Sequence, residues 1–183
     1  MKRPLSRVSY VAILIGWFVF CSHALGSDLH MPGLRGGISD HRNDEDFRQY
    51  EAFATWNLPW SWNPGASGTL AAYLEASAGL LRGGGNAAFV GSIGPGFYYA
   101  GLEDKVVIYA GINPTIISEH KFGDEDFGGP FQFTSHIGID FSLTKDFAIG
   151  YRWQHMSNFV FYDENPGLNL HMIEIGYRFQ SKE

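Results

Sequence analysis

Within the stretch YRWQHMSN, Tyr151, Trp153, His155 and Ser157 occupy alternate positions, so on a β-strand they share one face. An imidazole and a hydroxyl two residues apart on a strand lie about 6.6–7 Å apart along the backbone, and the ring is long enough to lean toward the oxygen. In that geometry His155 takes the proton from Ser157 as Ser157 attacks an ester carbonyl. On a helix the same spacing would turn the two groups apart. His-x-Ser is by itself a common surface pair, so what this face touches decides its meaning.

The elements that would position the pair are strands. Glycine contributes 23 residues and aromatics 16% of the 183-residue chain, helical periodicity is weak, and period-two runs recur between turn residues. Eight strands are expected near 33–39, 47–60, 69–81, 86–100, 106–118, 129–143, 146–158 and 168–179. The links NPGASG, GLEDK and LTKD are compact, whereas DHRNDED, EHKFGDEDFGG and FVFYDENPG are longer or more acidic. Short turns at one end and longer loops at the other suit an outer-membrane barrel, although the short RGGGN link fits less well. A soluble eight-stranded barrel of lipocalin type is the competing architecture.

Face polarity favours the membrane. In the last expected strand Ile173, Ile175, Tyr177 and Phe179 oppose Glu174 and Arg178. In the strand before it Phe147, Ile149, Tyr151 and Trp153 oppose Ala148, Gly150, Arg152 and Gln154. A membrane barrel turns the apolar row to lipid and fills its narrow interior with the polar row. WNLPWSW at one strand end has the composition of an interfacial girdle. The expected fold is all-β: an eight-stranded antiparallel transmembrane β-barrel of the bacterial outer membrane. With both termini periplasmic, His155 and Ser157 then face lipid near the external leaflet, where a lipid is the natural substrate.

The N-terminus agrees with export. The basic start MKRPLSR, an apolar run and the small residues of SHALGS read as a signal peptide over residues 1–26, cleaved after Ala24 or Gly26, with the barrel domain over 27–183. Cys21 follows bulky Phe20, which argues against lipidation. It is the sole cysteine, so the mature domain has no thiol chemistry. Removing Lys2, Arg3 and Arg7 takes the net charge from −6 to −6 − 3 = −9, which excludes nucleic acid as a natural partner.

HMSN at 155–158, ENPGLN at 164–169 and the closing IEIGYRF resemble the lipid A 3-O-deacylases of the PagL family, outer-membrane barrel esterases. The resemblance is sharp over about 30 C-terminal residues and architectural elsewhere. It implies a serine esterase that hydrolyses a primary acyl chain from the lipid A part of lipopolysaccharide, without cofactor. By the family pattern His155 is the general base and Ser157 the nucleophile. Asn158, of opposite parity, is a candidate for shaping the oxyanion site, through loop backbone or an amide. Asn169 departs from the pattern, which has a glutamate there to orient the histidine. An amide can accept the imidazole N–H and fix its tautomer, as in Cys-His-Asn sites. It cannot stabilise imidazolium as a carboxylate does.

Two other classes compete: a non-catalytic adhesion or envelope barrel, and a lipid acyltransferase. Lipopolysaccharide and outer-membrane lipids are the expected partners, with a homodimer left open. Glu174, Arg178, Arg152 and Gln154 are expected in an interior polar network, and His171 at the interface. Asp124, Glu125 and Asp126 lack the spacing of an EF-hand and read as a solvated loop, so no metal is expected. GGGN and GPG lack the strand–helix context of a phosphate cradle and read as turns or close backbone contacts.

Overall fold

The computed structural model describes residues 29–40, 43, 45–63, 68–102 and 105–179. The expected signal peptide lies outside them. Ten strands follow in chain order: β1 (Leu29–Ser39), β2 (Arg48–Trp62), β3 (Gly68–Gly83), β4 (Asn86–Gly101), β5 (Val106–Ile117), β6 (Lys121–Phe122), β7 (Glu125–Asp126), β8 (Phe131–Ser142), β9 (Phe147–Ser157) and β10 (Leu168–Tyr177). Eight close into an antiparallel barrel in the order β1-β10-β9-β8-β5-β4-β3-β2, while β6 and β7 form a separate hairpin. The strand ends at Trp62, Gly68, Gly101, Val106, Ser142 and Phe147 lie at one end, and those at Ser39, Arg48, Gly83, Asn86, Ile117, Phe131, Ser157 and Leu168 at the other. Short turns mark the periplasmic end of such barrels.

Alternation sorts the residues as a lipid-facing wall requires. Ile173 and Ile175 are 55% and 54% exposed, whereas Glu174 between them is 3% exposed. The middle of the lumen is ionic. The Arg35 guanidinium binds Glu51 and donates twice to Glu75 at 3.1 Å, and Arg152 reaches the same Glu75 at 3.1 Å. Tyr109 donates to Glu174 at 2.7 Å, and the Gln154 carbonyl accepts from Arg152 at 3.0 Å. Charges removed from water are tolerable only when paired and hydrogen-bonded in this way. Arg178, just past the end of β10, donates to Ser142 and borders the same interior space as Tyr109, Asp140 and Glu174.

The outer third of the lumen differs from expectation, being apolar rather than charged. Leu81, Ile117, Met156, Leu168, Leu170 and Met172 are fully buried there and pack with Phe47, Phe122 and Phe127. Phe122 on β6 and Phe127 just after β7 meet Phe47 with ring centroids 5.4 and 5.6 Å away. The small hairpin thus lays two aromatic rings into the barrel mouth as a plug. GPG at 94–96 lies inside β4 rather than at a turn, and Gly96 packs against the Tyr73 ring.

Candidate active site

β9 turns Tyr151, Trp153, His155 and Ser157 outward, and register supplies their neighbours. His155 pairs with Ser135 of β8 and Asn169 of β10, while Ser157 pairs with Phe133 of β8. Directly opposed residues bring their Cβ atoms to about 4.5–5.5 Å, so three strands converge on the imidazole. His155 Nδ1 is 2.7 Å from Asn169 Oδ1. Asn169 Nδ2 donates in turn to Asp40 Oδ2 at 3.0 Å, and the Asp40 amide donates to the Asn169 carbonyl at 3.2 Å. His155, Ser157 and Asn169, chosen by parity and motif, are thus gathered on one patch of the outer wall.

The loop at 158–167 covers this patch and is braced by two asparagines. Asn158 is fully buried. Its side-chain amide donates to the carbonyls of Phe127 and Glu164 at 2.9 and 2.7 Å, and its backbone amide donates to Asn165 Oδ1 at 3.1 Å. Both donors are therefore engaged, within the loop and to the segment after β7, which makes Asn158 a brace for the residues after Ser157. Asn165 Nδ2 donates to the Phe159 carbonyl at 2.7 Å. That bond helps to hold Phe159 at φ 57°, a left-handed conformation costing roughly 1–2 kcal/mol for a residue with a Cβ. The Phe159 ring meets the edge of Phe133 with centroids 4.8 Å apart.

The NPG turn closes the other side. Gly167 has φ +70°, and a Cβ there would stand 2.9 Å from His155 Cε1. Only glycine meets both demands. Asn43 Nδ2 ties the Gly167 carbonyl down at 2.9 Å. Between the loop and the strands lies a cleft of about 360 Å³, bordered by His155, Ser157, Ser135, Phe133, Phe159 and Gly167. It combines an imidazole and a hydroxyl with an aromatic wall, beside which Val160 and Phe161 are exposed.

The remaining candidates are occupied elsewhere. His171 Nδ1 lies 2.6 Å from the Tyr151 hydroxyl. Asp126 pairs with His120 and Lys121, both at 2.9 Å, and accepts from the Gly128 amide at 2.8 Å. Hydrogen bonds from His120 first, then Lys121 and Gly128, hold its carboxyl well below the usual carboxylate range. Among the described residues no group of three His, Cys, Asp or Glu could hold a metal ion. Asp40 and Asn43 carry no mark in the sequence, whereas Asn165 and Gly167 lie in the ENPGLN motif with no individual role assigned there. Asp40 and Asn43 sit in an acidic loop without period, and only barrel closure brings them to the site.

A family model described as lipid A 3-O-deacylase (PagL) matches residues 48–178, from the start of β2 to just past β10. The lipid A deacylase PagL of Bordetella bronchiseptica is 40% identical over 76 residues, 42% of this chain and 43% of that protein, so the match spans less than half of that relative. The lipid A deacylase PagL of Pseudomonas aeruginosa is 28% identical over 128 residues, 68% of this chain and 74% of the other. The solved structure of the outer membrane enzyme PagL superposes with a TM-score of 0.71 at 22% identity, covering 81% of this chain and 99% of that one, which shows a shared fold. The closed barrel, its lipid-facing apolar wall and the family match together make this an outer-membrane β-barrel. The chain belongs to the lipid A 3-O-deacylase (PagL) family.

Proposed function

We propose that the barrel hydrolyses the ester of a primary acyl chain on lipid A, with Ser157 as nucleophile and His155 as general base. The observation that carries this reading is the His155–Asn169 bond of 2.7 Å on an outward strand face that ends in Ser157. Asn169 Oδ1 can only accept, so Nδ1 carries the proton and Nε2 is left to act as base. Ser157 Oγ attacks the ester carbonyl as its proton passes to Nε2, and the carbonyl oxygen becomes an oxyanion. Asn158 braces the loop after Ser157, and backbone N–H groups of that loop are the proposed oxyanion donors. Collapse breaks the ester C–O bond and expels the sugar oxygen, which takes the proton from Nε2 and leaves as a hydroxyl. Water, deprotonated by His155, then cleaves the acyl-enzyme and frees the fatty acid. The acyl chain lies against Phe133 and Phe159, which border the cleft, and the reaction needs no cofactor.

Purified barrel incubated with lipopolysaccharide micelles tests the reading by mass spectrometry of lipid A. Loss of one acyl chain with release of free fatty acid is expected. Transfer of the chain to a second lipid would instead indicate an acyltransferase, and unchanged lipid A a non-catalytic barrel. Ser157→Ala and His155→Ala should each abolish release from a folded barrel, and the double variant should be no worse than either alone, because the two groups act as a unit.

A further inference from the structure

Asn169 is one end of a longer chain of hydrogen bonds. We propose that Asp40 is a positioning residue for the hydrolysis, acting through Asn169 as the carboxylate that fixes the His155 ring. This rests on His155 being the base. An amide has one donating and one accepting end, so its orientation decides what the imidazole meets. An ionised carboxylate accepts only. Asp40 Oδ2, 3.0 Å from Asn169 Nδ2, therefore requires the amide nitrogen on its own side. That places Oδ1 toward His155 Nδ1 and requires the proton on Nδ1. The tautomer competent to accept the Ser157 proton is thus set two residues away from the ring.

The link is built into the fold. Asp40 and Asn169 are 129 positions apart, and they meet because β1 and β10 close the barrel, with Ser39 opposite Leu170 as the last pair. A backbone bond from the Asp40 amide to the Asn169 carbonyl fixes the same junction. Asn169 is 7% exposed, so water competes weakly for either end of the amide. The neighbouring elements present different groups. β10 offers His171, bonded to Tyr151, and β8 offers neutral Ser135 opposite His155. The family glutamate missing at position 169 is thereby replaced in part by a carboxylate one amide further out. It stabilises the imidazolium formed during attack, more weakly than direct contact would.

The test uses the intact barrel refolded in detergent micelles. Its readouts are kcat and KM for fatty-acid release, and the protonation midpoint of His155 by NMR of labelled histidine. Asp40→Asn should lower kcat roughly 10-fold, as loss of an outer orienting partner does, with KM unchanged and the His155 midpoint lowered. Asn169→Glu added to Asp40→Asn should restore both. Asn169→Glu alone should gain less, because it sets two carboxylates side by side. Asp40→Ser, which keeps an oxygen without the charge, should repeat the loss and serves if Asp40→Asn does not fold. A folded Asp40→Asn barrel with wild-type kcat, pH profile and His155 midpoint would overturn the role of Asp40. If wild type releases fatty acid and Ser157→Ala does not, that failure leaves the hydrolase reading intact. If wild type releases none, the hydrolase reading falls and the His155 midpoint alone decides the coupling.

Discussion

At the scale of single residues, what could be read in advance is what a strand's parity encodes. His155, Ser157 and Asn169 share outward rows on β9 and β10, and the register that sets His155 opposite Asn169 follows from pairing two adjacent strands. Asp40 and Gly167 carry no such mark. One lies in an acidic link and the other in a motif whose turn says nothing of the ring beside it, and their roles arise from contacts made across the closed wall. Gly167 offers the sharper check. Gly167→Ala forces a Cβ into a left-handed backbone, at about 1–2 kcal/mol, and toward the His155 ring, 2.9 Å from Cε1. The ring must tilt or the turn must lift. Turnover per folded barrel should fall by at least about 10-fold, the rate equivalent of 1.4 kcal/mol, while the barrel's heat-modified mobility on gels stays that of the folded form. Wild-type turnover in a folded Gly167→Ala barrel would show that the turn does not hold the ring.

At the scale of elements, the eight barrel strands were legible because each runs for ten residues or more with alternating polarity. The β6–β7 hairpin was not, because strands of two residues show no period and resemble any Gly-rich acidic link. Its Phe122 and Phe127 could be seen as aromatic, but not as lumen residues, since they reach the interior from a loop. This hairpin matters to the site through one bond: Asn158, directly after Ser157, donates to the Phe127 carbonyl at 2.9 Å. Phe122 lies edge-on to Phe127, with centroids 5.8 Å apart. Phe122→Ala should open a cavity beneath that contact and cost about 3–5 kcal/mol of stability. It should also lower kcat, because Phe127 and the loop lose their seat. Unfolding in urea measures the first effect and fatty-acid release the second. A destabilised barrel with unchanged kcat would confine the hairpin to a structural role.

For the whole molecule, the governing fact is the inversion of polarity, with ions inside and hydrocarbon outside. Sequence alternation reveals two faces, and the aromatic composition favours lipid for the apolar one without showing what the interior holds. The ionic cluster of Arg35, Glu51, Glu75 and Arg152 supplies it, because four strands bring these groups to one point in the lumen. The same inversion suits the proposed chemistry, since an outward-facing His155 and Ser157 would meet an acyl chain that stays in the bilayer. Ile175 sits on the outer wall of β10 opposite Leu34 of β1 and Ile149 of β9, well inside the apolar band. Ile175→Arg should therefore reduce folding stability in bilayers by about 2–4 kcal/mol, the cost of a cation near the midplane. A soluble barrel would bury Ile175, and there the substitution would abolish folding in water as well. Ser157→Ala, at the edge of the same wall, should fold normally and lose only turnover. Folding titrations in lipid vesicles of the three proteins separate these cases. Undiminished stability of Ile175→Arg in the bilayer, with its parity neighbours Ile173 and Tyr177 open to a water-soluble label, would place this face in water and remove the route by which lipid reaches Ser157.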